Sequence, residues 1–104
     1  MTMEANRRTT ARKRTLKGAK VAFGDFRFTY DCVVRNVSPE GAMVRCAHAS
    51  EVPDDFHLYD PSEQTLQRAE VVWRTDRDLG IHFLGDAVSI HGSNDPRHAR
   101  FRFL

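Results

Sequence analysis

Two groups of residues in this chain have types and spacings that can do chemistry. Near the start stand Arg7, Arg8 and Arg12 in the pattern R-R-x-x-x-R, backed by Lys13, Arg14, Lys17 and Lys20. A guanidinium presents a planar fork of donors that matches phosphate oxygens or the O6 and N7 acceptors of guanine, and its face stacks on a base. An ordinary basic tail supplies the same spacing by chance. Further along comes Asn36-x-Ser38-x-x-Gly41, where a run of β-branched residues enters Ser-Pro-Glu-Gly. The Asn36 side chain can accept from base N–H groups and donate to an acceptor, Ser38 adds a hydroxyl, and Gly41 lets backbone lie close to a ligand. A plain hairpin turn uses these residue types too.

Other chemistry finds no footing. There is no G-x-S-x-G, H-E-x-x-H or phosphate-binding loop, so no nucleophile is marked for catalysis and an enzyme is not expected. Cys32, Cys46 and His48 give C-x13-C-x-H, which fits none of the usual zinc spacings, so no metal is expected. The two cysteines flank Pro39 at equal distances, so a hairpin centred there places them opposite each other, as free thiols in a reducing compartment. His82 reads as a half-exposed strand residue.

The charge is unevenly placed. Seven Lys or Arg face one Glu in the first twenty residues, a balance of +6, which leaves −4 on the remaining 84 for a net of +2. A cationic leading segment attracts anions. With 104 residues the chain makes one domain able to bury about two thirds of its unfolded surface without metal or disulfide. No run approaches the ~18–20 apolar residues of a membrane span, and the opening MTMEANRRTTARKR has no apolar stretch behind its charges. A soluble cytoplasmic protein without membrane contact is expected.

The elements that must hold these groups are strands. After residue 20, short runs such as KVAFGD, FRFTYDCVVRNV, GAMVRCA, FHLYD, QRAEVVWRT and LGIHFLG are rich in Val, Phe, Tyr and Thr, with turns about every ten residues. That spacing predicts an antiparallel barrel or sandwich. Turns are expected at Gly24-Asp25, Ser38–Gly41, Asp60–Glu63 and Arg74–Asp78. Alternation pairs Val71 with a buried Trp73 against Glu70 and Arg74, and sets Ile81 and Phe83 opposite His82 and Leu84. Three parts result: a flexible basic arm over 1–20, a barrel over 21–85, and a tail over 86–104. The tail, with Arg97, Arg100 and Arg102 among Phe101 and Phe103, suits a short C-terminal helix, a terminal strand or no regular structure.

Taken together and in order, R-x-x-x-R, Asn36-x-Ser38-x-x-Gly41, A-E-V-V-W-R and L-G-I-H-F-L resemble the PilZ domain family over about residues 7–85. The resemblance implies an all-β fold, a six-stranded antiparallel β-barrel, and binding of the bacterial second messenger cyclic di-GMP. It implies that Arg8 and Arg12 grip guanine and phosphate, while Asn36, Ser38 and Gly41 line the opposite side. Arg7 adds a guanidinium that suits a stacked pair of ligand molecules. Asn36 stands where many relatives have Asp, giving up a charge-assisted bond while lowering repulsion with the phosphates.

The resulting expectation is a receptor that orders its arginine arm on the ligand and signals to a protein partner. Two other classes stay open. A PilZ-like adaptor would dock proteins without binding the nucleotide, and a small nucleic-acid-binding barrel would take single strands with little sequence preference and steep salt dependence.

Overall fold

The computed structural model describes residues 16–103. Six strands close a barrel: β1 (Lys17–Phe23), β2 (Phe28–Arg35), β3 (Gly41–Arg45), β4 (Asp55–Asp60), β5 (Thr65–Arg74) and β6 (Asp78–Phe83). The order runs β4-β1-β2-β3-β6-β5, and β5 returns to pair with β4, so neither side is left as an open edge. Every pairing is antiparallel. A two-residue strand, β7 (Val88–Ser89), adds to β5 beyond the point where β6 ends. Of the segment expected as an arm over 1–20, Lys17–Lys20 belong to β1 and pair with Val34–Asp31, and residues 1–15 lie outside the described residues.

Alternation builds the core. Ala19, Val21, Cys32, Val34, Val44, Phe56, Leu58, Ala69, Leu79 and Ile81 point inward and are buried. Cys32 and Cys46 are both buried and free. Continuing the Val33–Arg45 register by one residue sets them opposite each other, as the spacing about Pro39 predicts. Burial pushes the Cys32 thiol up to about 12, with Cys46 beside it adding to the shift.

The turns follow local chemistry. Asp60 Oδ1 accepts from the Ser62 and Glu63 amides at 2.9 and 3.3 Å, and Thr75 Oγ1 accepts from those of Arg77 and Asp78 at 3.3 and 3.0 Å. At the β1–β2 hairpin Gly24, Asp25 and Phe26 all have positive φ, which turns the Phe26 ring back against the barrel, where it is buried.

Alternation fails at one place. The β5–β6 register runs Val71 opposite Ile81 and then Trp73 opposite Gly80, so Val72 is an extra residue, a β-bulge. The extra residue inverts the faces beyond it. Trp73 therefore joins Glu70 on the outside and is 46% exposed, correcting the expectation that it is buried with Val71. Arg74 turns the other way and donates to the Ala49 and Val52 carbonyls, both at 2.7 Å, and to Asp54 at 2.8 Å. These bonds hold the short 3-10 turn Ala49–Glu51 across one end of the barrel.

The tail is ordered, and it makes a second apolar cluster outside the barrel. Ala22, Tyr59 and Leu66 face outward from β1, β4 and β5, and are covered by Phe26, Ile90 and Phe101. Phe101 lies in a 3-10 segment, Pro96–Phe103, and its carbonyl accepts from the Tyr59 hydroxyl at 3.4 Å. Arg97 bridges to Asp95 and Asp25 and lies over the Phe26 ring, while Arg100 donates to the Phe26 carbonyl at 2.7 Å. One side of the barrel wall is thus covered, and among the described residues no segment lies over the wall of β2, β3, β6 and the end of β5.

Candidate functional site

The β2–β3 connection holds three of the residues singled out by spacing. Ser38 and Gly41 exchange backbone bonds, Ser38 N to Gly41 O at 2.8 Å and Gly41 N to Ser38 O at 3.3 Å, so Pro39 and Glu40 form the two-residue tip. Arg35 pairs with Met43, so two residues, Asn36 and Val37, stand against the single Ala42. Asn36 takes up this irregularity with φ 51°. That left-handed conformation suits Asn, Asp and Gly and penalises other residues. The preference for an acidic or amide residue here has a backbone cause, whatever else the side chain does.

Ser38 and Gly41 have local duties as well. The Ser38 hydroxyl lies 3.3 Å from the Gly41 carbonyl, 3.3 Å from the Gly41 amide and 3.4 Å from a Glu40 carboxylate oxygen. It accepts from the amide and has one proton to donate to either the carbonyl or the carboxylate, so those two contacts compete. A Cβ on Gly41 would collide with the Ile81 carbonyl oxygen. The tip is tied to β6 by the Phe83 amide, which donates to the Glu40 carbonyl at 2.7 Å.

Ser38, Glu40 and Gly41 line a groove of about 320 Å³ together with Trp73, Gly80 and His82. Met43 contributes to its floor. The indole occupies the space above Gly80, where a Cβ would overlap Nε1. One face of the indole is thus backed by main chain, which makes a flat aromatic wall. His82 Nδ1 lies 3.3 Å from a Glu70 carboxylate oxygen across the β5–β6 pair, so both polar groups of this wall are half-exposed and paired.

A family comparison fits this geometry: the PilZ domain model matches residues 6–92. The chain belongs to the PilZ domain family. The match takes in the arginine pattern, the turn and the Trp73–Gly80 wall, and stops before the 3-10 segment that covers the outer cluster. PilZ domains are known for binding cyclic di-GMP, and act as binding or adaptor domains rather than as catalysts. No curated protein matches the chain closely enough to count as a relative.

Within this PilZ domain the sequence-derived residues are distributed as follows. Ser38 and Gly41 line the groove, and Asn36 sits at the bulge behind the turn, outside the groove walls. Arg7, Arg8 and Arg12 lie outside the described residues. Lys17 pairs with Val34, so the chain enters the barrel beside the strand end that leads into Asn36. Trp73 is the wall residue that sequence reasoning missed as such. Strict alternation buries it, and nothing in A-E-V-V-W-R marks Val72 as an extra residue. No group of His, Cys, Asp or Glu among the described residues is arranged to hold a metal. No described helix is long and apolar enough to cross a membrane.

Proposed function

We propose that this PilZ domain is a cyclic di-GMP receptor that takes the ligand across the groove between the Ser38–Gly41 turn and Trp73. The observation that carries the proposal is the groove itself: the turn and an indole backed by Gly80 line the same groove, on a side of the barrel that the described tail does not cover. Aromatic faces of this kind contribute roughly 1–3 kcal/mol per stacked base. Arg8 and Arg12, with Arg7 beside them, supply guanidinium forks for phosphate and for the guanine O6 and N7 acceptors. The sequence that carries them joins β1, which pairs with the end of β2 that leads into Asn36.

In this proposal Ser38 and Gly41 bound the ligand within the groove, Asn36 reaches it from the bulge behind the turn, and the phosphates offset the mutual repulsion of the arm's cations. Binding orders the arm through contacts that exist only in the bound state, as a ligand-driven change requires. The protein works by binding, in the cytoplasm, without a catalytic step or a cofactor, and passes the signal to a protein partner.

A second reading has an observation of its own. Asn36 at a left-handed bulge, Ser38 in a turn and Gly41 against Ile81 each have a structural reason to be present without any ligand. A PilZ adaptor that docks only protein would keep them. Calorimetric titration of the full chain with cyclic di-GMP, with cyclic di-AMP as the control, separates the two. The receptor gives heat with the guanine ligand, lost or strongly reduced in Arg8→Ala, Arg12→Ala and Ser38→Ala. Absence of heat with the unmodified protein favours the adaptor. Amide relaxation of residues 7–14, measured with and without ligand, tests the ordering of the arm.

A further inference from the structure

One transverse line crosses the open face of the barrel. Arg35 on β2 pairs with Met43 on β3, Met43 with Gly80 on β6, and Gly80 with Trp73 on β5. Directly paired residues share a face, and buried Cys32 and Val34 fix the outward set of β2 as Val33 and Arg35. The line is therefore a guanidinium, a thioether, a bare backbone position and an indole, spanning three strand spacings, on the order of 14 Å. Met43, Gly80 and Trp73 line the groove, and Arg35 stands one strand beyond Met43, next to the lining residues rather than among them.

Arg35 is half-buried, and its guanidinium has no hydrogen bond or ion pair among the described residues. The other arginines in the described strands differ in this respect. Arg45 grips Asp78 at 3.0 and 3.2 Å, Arg68 grips Asp55 at 3.1 and 2.7 Å, and Arg74 is held by two carbonyls and Asp54. A guanidinium carries five N–H donors, and those of Arg35 have no protein acceptor among the described residues. Arg35 thus offers an unpaired cation among the described residues, one residue before Asn36 and at the end of the line away from the aromatic wall.

We infer that Arg35 is a ligand-binding residue of this PilZ domain, contacting a phosphate of the dinucleotide at the end of the groove opposite Trp73. The inference rests on the receptor proposal and adds an orientation to it. The purine face lies toward β5 and β6, and the charged sugar-phosphate edge toward β1 and β2. Arg35 differs from the arm in being mounted on a strand, so it presents its charge before the ligand arrives, and its contribution to binding is not reduced by the cost of ordering a segment.

The test is calorimetry on the full chain with cyclic di-GMP at low and high salt, for the unmodified protein, Arg35→Ala, Arg35→Lys and Arg12→Ala. Charge-assisted bonds of this kind correspond to a roughly ten- to hundredfold loss of affinity for Arg35→Ala. The salt dependence should become shallower, and Arg35→Lys should regain part of the affinity because it keeps the charge but not the fork. Thermal unfolding of Arg35→Ala should match the unmodified protein, since no partner is lost. If the unmodified protein and Arg12→Ala differ in affinity while Arg35→Ala binds as tightly as the unmodified protein with the same salt dependence, the role of Arg35 is refuted and the receptor stands. If the unmodified protein gives no heat, the receptor falls and Arg35 with it.

Discussion

The Trp73 indole occupies the space in which Gly80 would carry a side chain. The two residues are paired across β5 and β6 just past the Val72 bulge, and their contact keeps a large aromatic on the outside of the barrel without leaving both of its faces in water. Trp73 is also the single tryptophan in the sequence, so its fluorescence reports on the groove alone.

Gly80→Ala should therefore displace the indole. The expected outcome is a shift in the emission maximum of the unliganded protein. Affinity for cyclic di-GMP should fall with it, by about tenfold for a lost base–aromatic stack, and similarly in Trp73→Ala. Steady-state fluorescence and calorimetry measure the two effects. A normal emission spectrum in Gly80→Ala would show that the glycine is not what seats the ring.

Asn36 has a backbone role that can be separated from any ligand role. Asn36→Ala should lose about 1 kcal/mol of stability because its left-handed φ disfavours a Cβ without a compensating side-chain bond. Asn36→Gly should keep or slightly raise stability while removing the same amide. Urea unfolding measures the first effect and ligand titration the second. Equal stability of the Ala and Gly variants would contradict the assigned backbone role.

Phe101 is 2% exposed and fills the centre of the outer cluster with Tyr59 and Phe26. Phe101→Ala should cost about 3–5 kcal/mol, the usual loss for a buried aromatic. Against a stability of ~5–15 kcal/mol for a domain, that is a large share. A urea midpoint unchanged by the substitution would mean that the tail contributes nothing to the fold.

The same region carries a pH dependence. His57 meets the Phe26 ring edge-on at 4.9 Å. Burial, and then the nearby Arg68, Arg97 and His98, hold its pKa below the ordinary 6.5, against the opposing pull of Asp55. Because the neutral form is favoured in the fold, the unfolded chain takes up more protons. Stability is then complete above about pH 6.5 and declines as pH falls through that value toward the folded pKa. A second loss follows at lower pH, where Asp95, held at about 2 chiefly by its bonds from Arg97, is protonated. Thermal melts from pH 8 to pH 5 should show the first decline, and His57→Gln should flatten it. An identical profile in that variant would assign the decline elsewhere.

The buried thiols should resist alkylation in the native state. Cys32, pushed up to about 12 by burial, is almost wholly protonated at neutral pH and shielded from reagent. Labelling with iodoacetamide followed by mass spectrometry should modify it only after denaturation. Rapid native labelling would contradict the inward placement of β2.

Much of this protein follows from its sequence because the physics involved is local. Short β-branched and aromatic runs with turns every ten residues specify an antiparallel barrel, and Asp60 and Thr75 sit where their side-chain oxygens hold the turns. The equal spacing of Cys32 and Cys46 about Pro39 sets the hairpin register, and Asn36 supplies the left-handed residue its bulge requires. What distant contacts decide is less visible. The Val72 bulge arises from matching β5 to both of its neighbours in a closed barrel, so strict alternation wrongly buries Trp73. The tail is ordered because Ala22, Tyr59 and Leu66, apolar residues on three separate strands, assemble into one outward patch that Ile90 and Phe101 cover. That covering occupies one side of the barrel, and the groove lies on the other, along β3, β6 and the end of β5. Asn-x-Ser-x-x-Gly is written in six consecutive residues, whereas the alignment of Arg35, Met43, Gly80 and Trp73 exists only once four strands are in register.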